Sequence, residues 1–307
     1  MSLEVTIHRD LRYANPHGKQ LLADLYLPKL DATRLPVIVW LHGGGWRLGD
    51  RRLAPDLQRY FAQAGFAMAS IEYRLSGEAI FPAAVEDVKT AVRWLRASAD
   101  TYGLDPARIG LWGSSSGGHL AALAALSGPG GVESPASEYS GYSSEVQAVM
   151  DGYGPVDFLE MDAQRTAAGV VSDDPESVKL PKDLRSNSAD SFESLFLGAP
   201  ITTCRDLVRQ ANPVTYARAG APPFLIMHGL ADSAVPAKQS ELLYEALAAH
   251  AGNEVALGLI TGLGHGFLNR NHLDDGPKRT IELRGLTYGG ADSGIFERIF
   301  RFFQQKL

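Results

Sequence analysis

The chain has 307 residues, of which 45% are hydrophobic and 21% are charged, a composition typical of a folded protein with a sizeable core. Its net charge of −6 offers no broad cationic surface, so we expect neither nucleic acid nor an acidic membrane as a partner. Cys204 is the only cysteine, which excludes an internal disulfide and suits a reducing compartment. The opening residues lack the pattern of a signal peptide and no apolar run reaches the length of a membrane span, so the sequence predicts a cytoplasmic protein.

The first predicted element is an antiparallel hairpin, because the runs VTIHRDLRY and QLLADLYL flank the turn-forming residues NPHGK. Short and nearly continuous apolar runs follow, which are typical of strands buried on both faces of a parallel sheet. These runs are VIVWL (37–41), FAMASIEY (66–73), RIGLW (108–112), VQAVM (146–150), PFLIM (223–227) and EVALGLI (254–260).

Helical patterns lie between these runs. The clearest are AAVEDVKTAVRWLRASA, PAKQSELLYEALAAH and the final SGIFERIFRFFQQKL, each with apolar residues at three- and four-residue spacing. Strands that alternate with helices predict an α/β fold, in which a mostly parallel sheet of about eight strands is flanked by helices. We expect residues 1–307 to form one such domain.

Residues 155–212 interrupt this alternation. A polar stretch, SDDPESVKLPKDLRSNSAD, precedes SFESLFLG and the helical TTCRDLVRQ. So long a connection inside a compact domain is usually functional or disordered, and we expect a cap or lid over a site. The glycine- and serine-rich residues 127–144 predict a mobile loop.

Directly after RIGLW the chain reads Gly113-Ser114-Ser115-Ser116-Gly117. This is the G-x-S-x-G pattern of a sharp turn that raises a serine, here Ser115, above the carboxyl end of a strand. Cβ atoms at positions 113 and 117 would collide with the neighbouring strand and helix, which explains the two glycines. The helix HLAALAAL then aims its N-terminal N–H groups at the turn. A plain serine-glycine loop that caps this helix would show the same five residues, so the pattern requires partners.

A serine nucleophile needs a base, and the base needs an acid that orients it. In this type of turn the partners follow in the order acid, then histidine. Asp232 lies in HGLADSAVP after the strand PFLIM, and His265 lies in TGLGHGF after EVALGLI. Alone, Asp232 would more often be a turn residue or helix cap, and His265 could be a satisfied loop histidine. Asp157 in GPVDF is a rival acid. Together, three matches at three strand ends favour Ser115, Asp232 and His265 as a catalytic triad.

The glycine-rich stretch His42–Trp46, HGGGW, follows the strand VIVWL. Glycines let the backbone approach a substrate and turn its N–H groups inward, where each would stabilise an oxyanion by about 3 kcal/mol. With the N–H of Ser116 this loop would form a pocket of two or three donors, although a plain glycine turn is the alternative. We expect His42 to anchor the loop by hydrogen bonds.

The remaining histidines and motifs do not indicate a further functional site. His228 ends a strand and is predicted to be buried structure, and His119 is predicted to point along a helix face away from the hydroxyl. The chain has no HExxH motif and no paired cysteine and histidine spacing, so no metal site is expected. GLGHG does not fit a dinucleotide-binding turn, and the lysine of a phosphate-binding loop is missing.

The segments HGGGW, IEYRLS, FPAAVEDVKTAVRWL, GSSSGG, HGLADSAVP and GLGHGF resemble the α/β-hydrolase superfamily. They are most similar to carboxylesterases of the hormone-sensitive-lipase type and their feruloyl-esterase-like relatives. The resemblance implies ester hydrolysis through an acyl-enzyme without a metal or organic cofactor. It implies that Ser115 is the nucleophile, His265 the base and Asp232 the acid that orients the base. It also implies an oxyanion hole formed by Gly44, Gly45 and Ser116.

Two departures leave the substrate open. The lipase-type turn usually reads GDSAGG, whereas this chain has Ser114 and Ser116 at the variable positions. The tryptophan after HGGG is closer to the feruloyl-esterase-like and arylformamidase branches. The leading hypothesis is a serine carboxylesterase for small or medium acyl or aryl esters. The alternatives are an arylformamidase- or peptidase-like hydrolase, or a non-catalytic ligand-binding relative, against which the retained His265 argues.

The sequence does not identify the residues of the substrate pocket. Five aromatic residues could line the pocket, although the core is the favoured place for each: Trp46, Tyr73, Phe158, Phe192 and Phe267. The sequence also leaves open whether the chain forms a homo-oligomer.

Overall fold

The computed structural model describes residues 2–30, 34–128, 131–132, 138–178, 185–276 and 278–307. Nine strands form one sheet: β1 (Val5–Ala14), β2 (Leu21–Pro28), β3 (Leu35–Leu41), β4 (Ala67–Ile71), β5 (Leu104–Ser114), β6 (Ala148–Gly152), β7 (Phe224–Gly229), β8 (Val255–Ile260) and β9 (Ile281–Gly285). The α-helices of the described residues are α1 (Leu57–Tyr60), α2 (Ala83–Ala97), α3 (Ala99–Tyr102), α4 (Ser116–Leu126), α5 (Met161–Ala168), α6 (Phe192–Leu197), α7 (Arg205–Ala211), α8 (Lys238–Ala248) and α9 (Ile295–Lys306).

The strand order is β1-β2-β4-β3-β5-β6-β7-β8-β9. Strands β4, β3, β5, β6, β7 and β8 are parallel, and each corresponds to one of the predicted apolar runs. The predicted hairpin is also present, since β1 and β2 pair antiparallel, and β2 pairs antiparallel with β4. The predicted α/β fold is therefore confirmed.

The sheet separates two hydrophobic cores because successive side chains of a strand point to opposite faces. On β3, Val37 and Val39 belong to the core that contains the apolar residues of α2, α4 and α8. Ile38 and Trp40 of the same strand belong to the core under α1 and α9. This two-sided burial explains why the parallel strands read as unbroken apolar runs.

The ninth strand was not predicted. Strand β9 pairs antiparallel with β8 at the edge of the sheet, and its residues are only partly buried or exposed. Its sequence, IELRG, lacks the apolar run that identified the inner strands, so the estimate of about eight strands falls short by this edge strand.

Residues 155–212 contain the short helices α5, α6 and α7. Within this predicted cap, residues 179–184 lie outside the described part of the chain, as do residues 129–130 and 133–137 of the predicted loop at 127–144. Among the helices that the structure does describe, none has both the length and the apolar character needed to cross a bilayer.

Candidate active site

Ser115 occupies a tight turn between β5 and α4. Its backbone has φ 55° and ψ −122°, a left-handed conformation that is costly for a residue with a side chain. The Ser115 N–H holds the turn by donating to the carbonyl oxygen of Gly152, 2.7 Å away. A Cβ atom on Gly113 would overlap the backbone of Gly117, and one on Gly117 would overlap the carbonyl oxygen of Leu41 on β3. The predicted collisions with helix and strand are confirmed.

The turn brings Ser115 into line with the two predicted partners. The Nε2 atom of His265 lies 2.9 Å from the Ser115 Oγ, and its Nδ1 lies 2.7 Å from Oδ2 of Asp232. A carboxylate accepts hydrogen bonds, so the Nδ1 carries the proton of a neutral imidazole and the Nε2 presents a lone pair to the serine hydroxyl. This arrangement can move a proton from the hydroxyl to the imidazole.

Asp232 is held as a carboxylate in a buried position. Its Oδ1 accepts hydrogen bonds from the N–H groups of Ala234 and Val235, at 2.8 and 2.9 Å. Burial alone would raise the pKa of Asp232, but the attraction to a protonated His265 and the hydrogen bonds from His228 and His265 outweigh it and hold the pKa well below its usual value. The group can therefore stabilise an imidazolium on His265.

His228 also contacts Asp232, which the sequence analysis missed. The side chain is fully buried, as predicted. Its Nε2 lies 2.9 Å from the carbonyl oxygen of Val235 and 3.4 Å from Oδ2 of Asp232, and its Nδ1 lies 2.7 Å from the Ser240 Oγ. Because both neighbours of the Nε2 only accept, this nitrogen is the protonated one, and the hydroxyl of Ser240 donates to the Nδ1. The short spacing of four residues between His228 and Asp232 could have indicated this contact.

The other two histidines near the site are structural. His119 accepts a hydrogen bond from the indole N–H of Trp46 and donates from its Nε2 to the carbonyl oxygen of Ala211, at 3.2 and 2.7 Å. His42 donates from Nδ1 to the carbonyl oxygen of Gly43, in agreement with its predicted role as an anchor of the glycine loop. Burial lowers the pKa of each to about 4, so both imidazoles are neutral near pH 7.

The glycine loop after β3 needs its glycines. Gly44 and Gly45 have φ values of 123° and 61°, and a Cβ atom on Gly45 would lie 2.7 Å from the ring of Phe192. In the part of the chain that the structure describes, the N–H groups of Gly44, Gly45 and Ser116 donate to no protein acceptor. All three residues line the same cavity as Ser115. These N–H groups are thus available to a substrate carbonyl oxygen.

The cavity at Ser115 has a volume of about 330 Å³. Apolar side chains line most of it, among them Trp46 and Phe192. Trp46 is at the same time buried in the core, as expected, whereas Phe192 is only partly buried and packs against the core. Tyr73, Phe158 and Phe267 are buried in the core as expected.

Residues 155–212 supply a large share of the cavity wall, including two charged residues that the sequence analysis missed. Arg165 donates to the hydroxyl of Ser186 at 2.9 Å, and this hydroxyl donates to the carboxyl of Glu193 at 3.1 Å. Burial raises the pKa of Glu193. Met161 and Val178 contribute apolar surface. Within a polar segment, Arg165 and Glu193 have the pattern of solvent-facing charges, so no sequence signal could have placed them here.

The rival acid, Asp157, is engaged elsewhere. Its carboxylate Oδ1 accepts a hydrogen bond from the N–H of Leu159 at 3.2 Å, and its backbone N–H donates to Oε1 of Gln239 at 2.7 Å. The carboxylate on the Nδ1 of His265 is that of Asp232. Over the described ranges, no three His, Cys, Asp or Glu side chains cluster closely enough to hold a metal ion.

Comparisons with known proteins give one family and several esterases. The family model described as BD-FAE matches residues 23–247. Esterase LipC of Mycobacterium tuberculosis is 32% identical over 264 residues, which cover 85% of this chain and 60% of LipC. A truncated carbohydrate esterase from gut microbiota superposes with a TM-score of 0.73 at 30% identity, over 86% of this chain and 90% of that one. A thermophilic esterase of Thermogutta terrifontis, Est2, has a TM-score of 0.62 at 29% identity, over 87% and 84% of the two chains.

The chain spans about half to three fifths of the length of the curated relatives that it matches first. The two solved esterases share this fold over 86% and 87% of the chain.

Proposed function

Because this chain belongs to the BD-FAE family, which has the α/β-hydrolase fold, we propose that it is a serine carboxylesterase. Its substrates are small or medium acyl or aryl esters, which it hydrolyses through an acyl-enzyme. The observation that carries the proposal is the continuous hydrogen-bonded line from the Ser115 Oγ through His265 to Asp232, at 2.9 and 2.7 Å, inside a cavity. The related esterases support the same reaction class.

In the proposed reaction, the Ser115 Oγ attacks the ester carbonyl while its proton passes to the Nε2 of His265. The negative charge that develops on the carbonyl oxygen accepts hydrogen bonds from the free N–H groups of Gly44, Gly45 and Ser116. The imidazolium then protonates the departing alkoxide, and an acyl-serine remains. A water molecule repeats the sequence through His265, which releases the acid and restores the hydroxyl.

Asp232 acts through His265 in both halves of this cycle. It keeps the Nδ1 protonated, so that the Nε2 faces Ser115 as an acceptor, and it stabilises the imidazolium by charge. The pKa of Asp232 lies well below its usual value, which supports an ionised carboxylate near neutral pH.

The volume of the cavity supports a substrate of small or medium size. A volume of about 330 Å³ lies at the small end of the range for small-molecule sites, and its walls are mainly apolar. Residues 155–212 contribute Met161, Arg165, Phe192 and Glu193 to these walls, which supports their role as a cap inserted in a single domain. The cytoplasmic location remains a prediction, supported by the single cysteine.

The experiment is the hydrolysis of p-nitrophenyl butyrate by wild type, Ser115→Ala and Ser114→Ala. We expect Ser115→Ala to lose at least about 10⁴-fold in kcat. Ser114→Ala is the matched control, since this neighbouring side chain is buried in the same turn and does not line the cavity. We expect it to keep activity within a few fold. Undiminished turnover by folded Ser115→Ala would refute the proposal.

A substrate panel separates the alternatives within the same mechanism. N-formyl arylamines and aminoacyl amides, compared with esters under the same conditions, test the arylformamidase- and peptidase-like hydrolases. A fluorophosphonate that labels wild type and not Ser115→Ala supports an active nucleophile, whereas a wild type that resists labelling favours a non-catalytic binding protein.

A further inference from the structure

A short part of residues 155–212 lies directly against the loop that carries His265. We call residues 172–178 the strap. The Ser177 Oγ accepts a hydrogen bond from the His265 N–H at 2.9 Å, and the N–H of Val178 donates to the His265 carbonyl oxygen at 2.9 Å. Both backbone polar groups of His265 are therefore bonded to the strap.

The strap also holds the residue before His265. Oδ2 of Asp174 accepts a hydrogen bond from the N–H of Gly264 at 2.8 Å and another from the guanidinium of Arg270 at 2.6 Å. The side chains of Asp174 and Arg270 are only 5% and 7% exposed. A buried and charge-assisted contact of this kind is among the stronger polar contacts in proteins, so the strap is fixed firmly beside the loop.

The glycines on either side of His265 are what lets the strap approach so closely. A Cβ atom on Gly264 would come within 2.5 Å of the Cβ of Ser177, and one on Gly266 would lie 2.8 Å from a methyl group of Val178. Gly266 moreover has φ 89°, which favours glycine. The two glycines of the G-H-G pattern therefore leave room for the strap to pack against the loop, in addition to allowing the turn itself.

The side chain of His265 bonds to Asp232 and Ser115, and its ring packs edge-on against Tyr153. These bonds orient the imidazole ring, but they do not fix the backbone from which the ring projects. The loop before His265 has no helix or strand of its own between the end of β8 and Gly266. The strap thus provides the hydrogen bonds that locate the backbone of His265 relative to the serine.

We propose that Ser177 and Asp174 are positioning residues that hold His265 in line with Ser115, so that the cap segment takes part in catalysis as well as in enclosing the substrate. The inference rests on the proposed function. A displacement of about 1 Å at a reacting group can cost about 100-fold in rate, so the loss of the strap contacts is expected to lower turnover. Substrate binding is expected to change less, because neither Ser177 nor Asp174 lines the cavity.

The test compares Ser177→Ala with Ser172→Ala. Both serines belong to the strap and both hydroxyls lie next to Gly264, but the Ser172 Oγ is buried without a hydrogen-bond partner in the structure as described. We expect Ser177→Ala to lower kcat about 10- to 100-fold with KM within about twofold, and Ser172→Ala to leave both unchanged within about twofold. Asp174→Asn is the second variant, should Ser177→Ala fail to fold, and is expected to lower kcat in the same way.

A spectroscopic measurement makes the test independent of ester turnover. The Nδ1 proton of His265, shared with Asp232, is expected to give a downfield proton NMR signal that broadens or shifts in Ser177→Ala and not in Ser172→Ala. An unchanged kcat and an unchanged signal in folded Ser177→Ala and Asp174→Asn would overturn the role of the strap, and so would equal losses in Ser172→Ala and Ser177→Ala. An inactive wild type with the expected NMR changes would instead count against the proposed function alone.

Discussion

The replacement Asp232→Asn tests the direction of the proton relay, because the site dictates how the new amide must lie. In the wild type, Oδ1 of Asp232 accepts from the N–H groups of Ala234 and Val235, while Oδ2 accepts from the Nδ1 of His265. An asparagine side chain has one oxygen and one NH₂ group. The two backbone donors lie at 2.8 and 2.9 Å, closer than the Nε2 of His228 at 3.4 Å from Oδ2, so they favour the oxygen on their side and the NH₂ group faces His265.

This orientation reverses the imidazole. The Nδ1 of His265 must accept from the NH₂ group, so the ring proton moves to the Nε2 and points at the Ser115 Oγ, where it cannot receive the hydroxyl proton. In a serine–histidine–aspartate triad, a tautomer of this kind costs about 10⁴-fold in kcat. That factor corresponds to about 5 kcal/mol of transition-state stabilisation. Shape and volume hardly change, so the effect belongs to the hydrogen-bond pattern.

The assay is kcat/KM for p-nitrophenyl butyrate, with thermal unfolding as a check that each variant is folded. The matched control is Asp157→Asn, which makes the same substitution at the rival acid and is expected to keep activity within about threefold because its carboxylate does not contact His265. An Asp232→Asn enzyme with activity within tenfold of the wild type, or an equal loss in both variants, would refute the reasoning.

Three further predictions concern the turn, a buried histidine and the cavity. Gly117→Ala is expected to lower the free energy of unfolding by about 3 kcal/mol or more in urea titrations, because its Cβ would overlap the Leu41 carbonyl, whereas Gly77→Ala, with no atom within 4 Å, is expected to be neutral. Burial lowers the pKa of His119 from 6.5 to about 4 in the folded protein. As the pH falls, the imidazole is therefore protonated in the unfolded chain before it is protonated in the folded one, and the folded state loses stability. Between roughly pH 7 and pH 5, the free energy of unfolding of His119→Gln should therefore fall by about 2 kcal/mol less than that of the wild type. Parallel curves of unfolding free energy against pH for the two proteins would contradict this. Phe192→Ala is expected to raise kcat/KM for p-nitrophenyl hexanoate relative to the acetate by about tenfold, since it widens the cavity; an unchanged ratio would place the acyl chain elsewhere.

Much of the fold could be predicted because its signals are local. A parallel strand covered on both faces must be apolar throughout, and the six inner strands show this directly. The resemblance to α/β-hydrolase carboxylesterases, carried by HGGGW and GSSSGG, is confirmed by the family match over residues 23–247. Strand β9 escaped prediction because a half-exposed edge strand has no such requirement.

The candidate site divides in the same way. Ser115, Asp232 and His265 each follow a strand that the sequence identifies, so their proximity could be expected from the topology of a parallel sheet. The contacts of Glu193 and of the strap depend on how residues 155–212 fold back over the sheet. No local sequence pattern specifies how this segment folds back. In the sequence, its buried charged residues cannot be distinguished from charged residues that face solvent.

The two borders of the sheet bear on how copies of this molecule can meet. The outermost strands are β1 and β9, and β1 is irregular near Asp10, with Arg9 and Arg12 exposed on it. On β9, Glu282 and Arg284 form an ion pair 2.9 Å long. A sheet that continued from one molecule into the next would have to pair with these charged and uneven rims, which proteins use to discourage strand addition. Growth of one continuous sheet across two copies of the chain is thereby disfavoured at both ends.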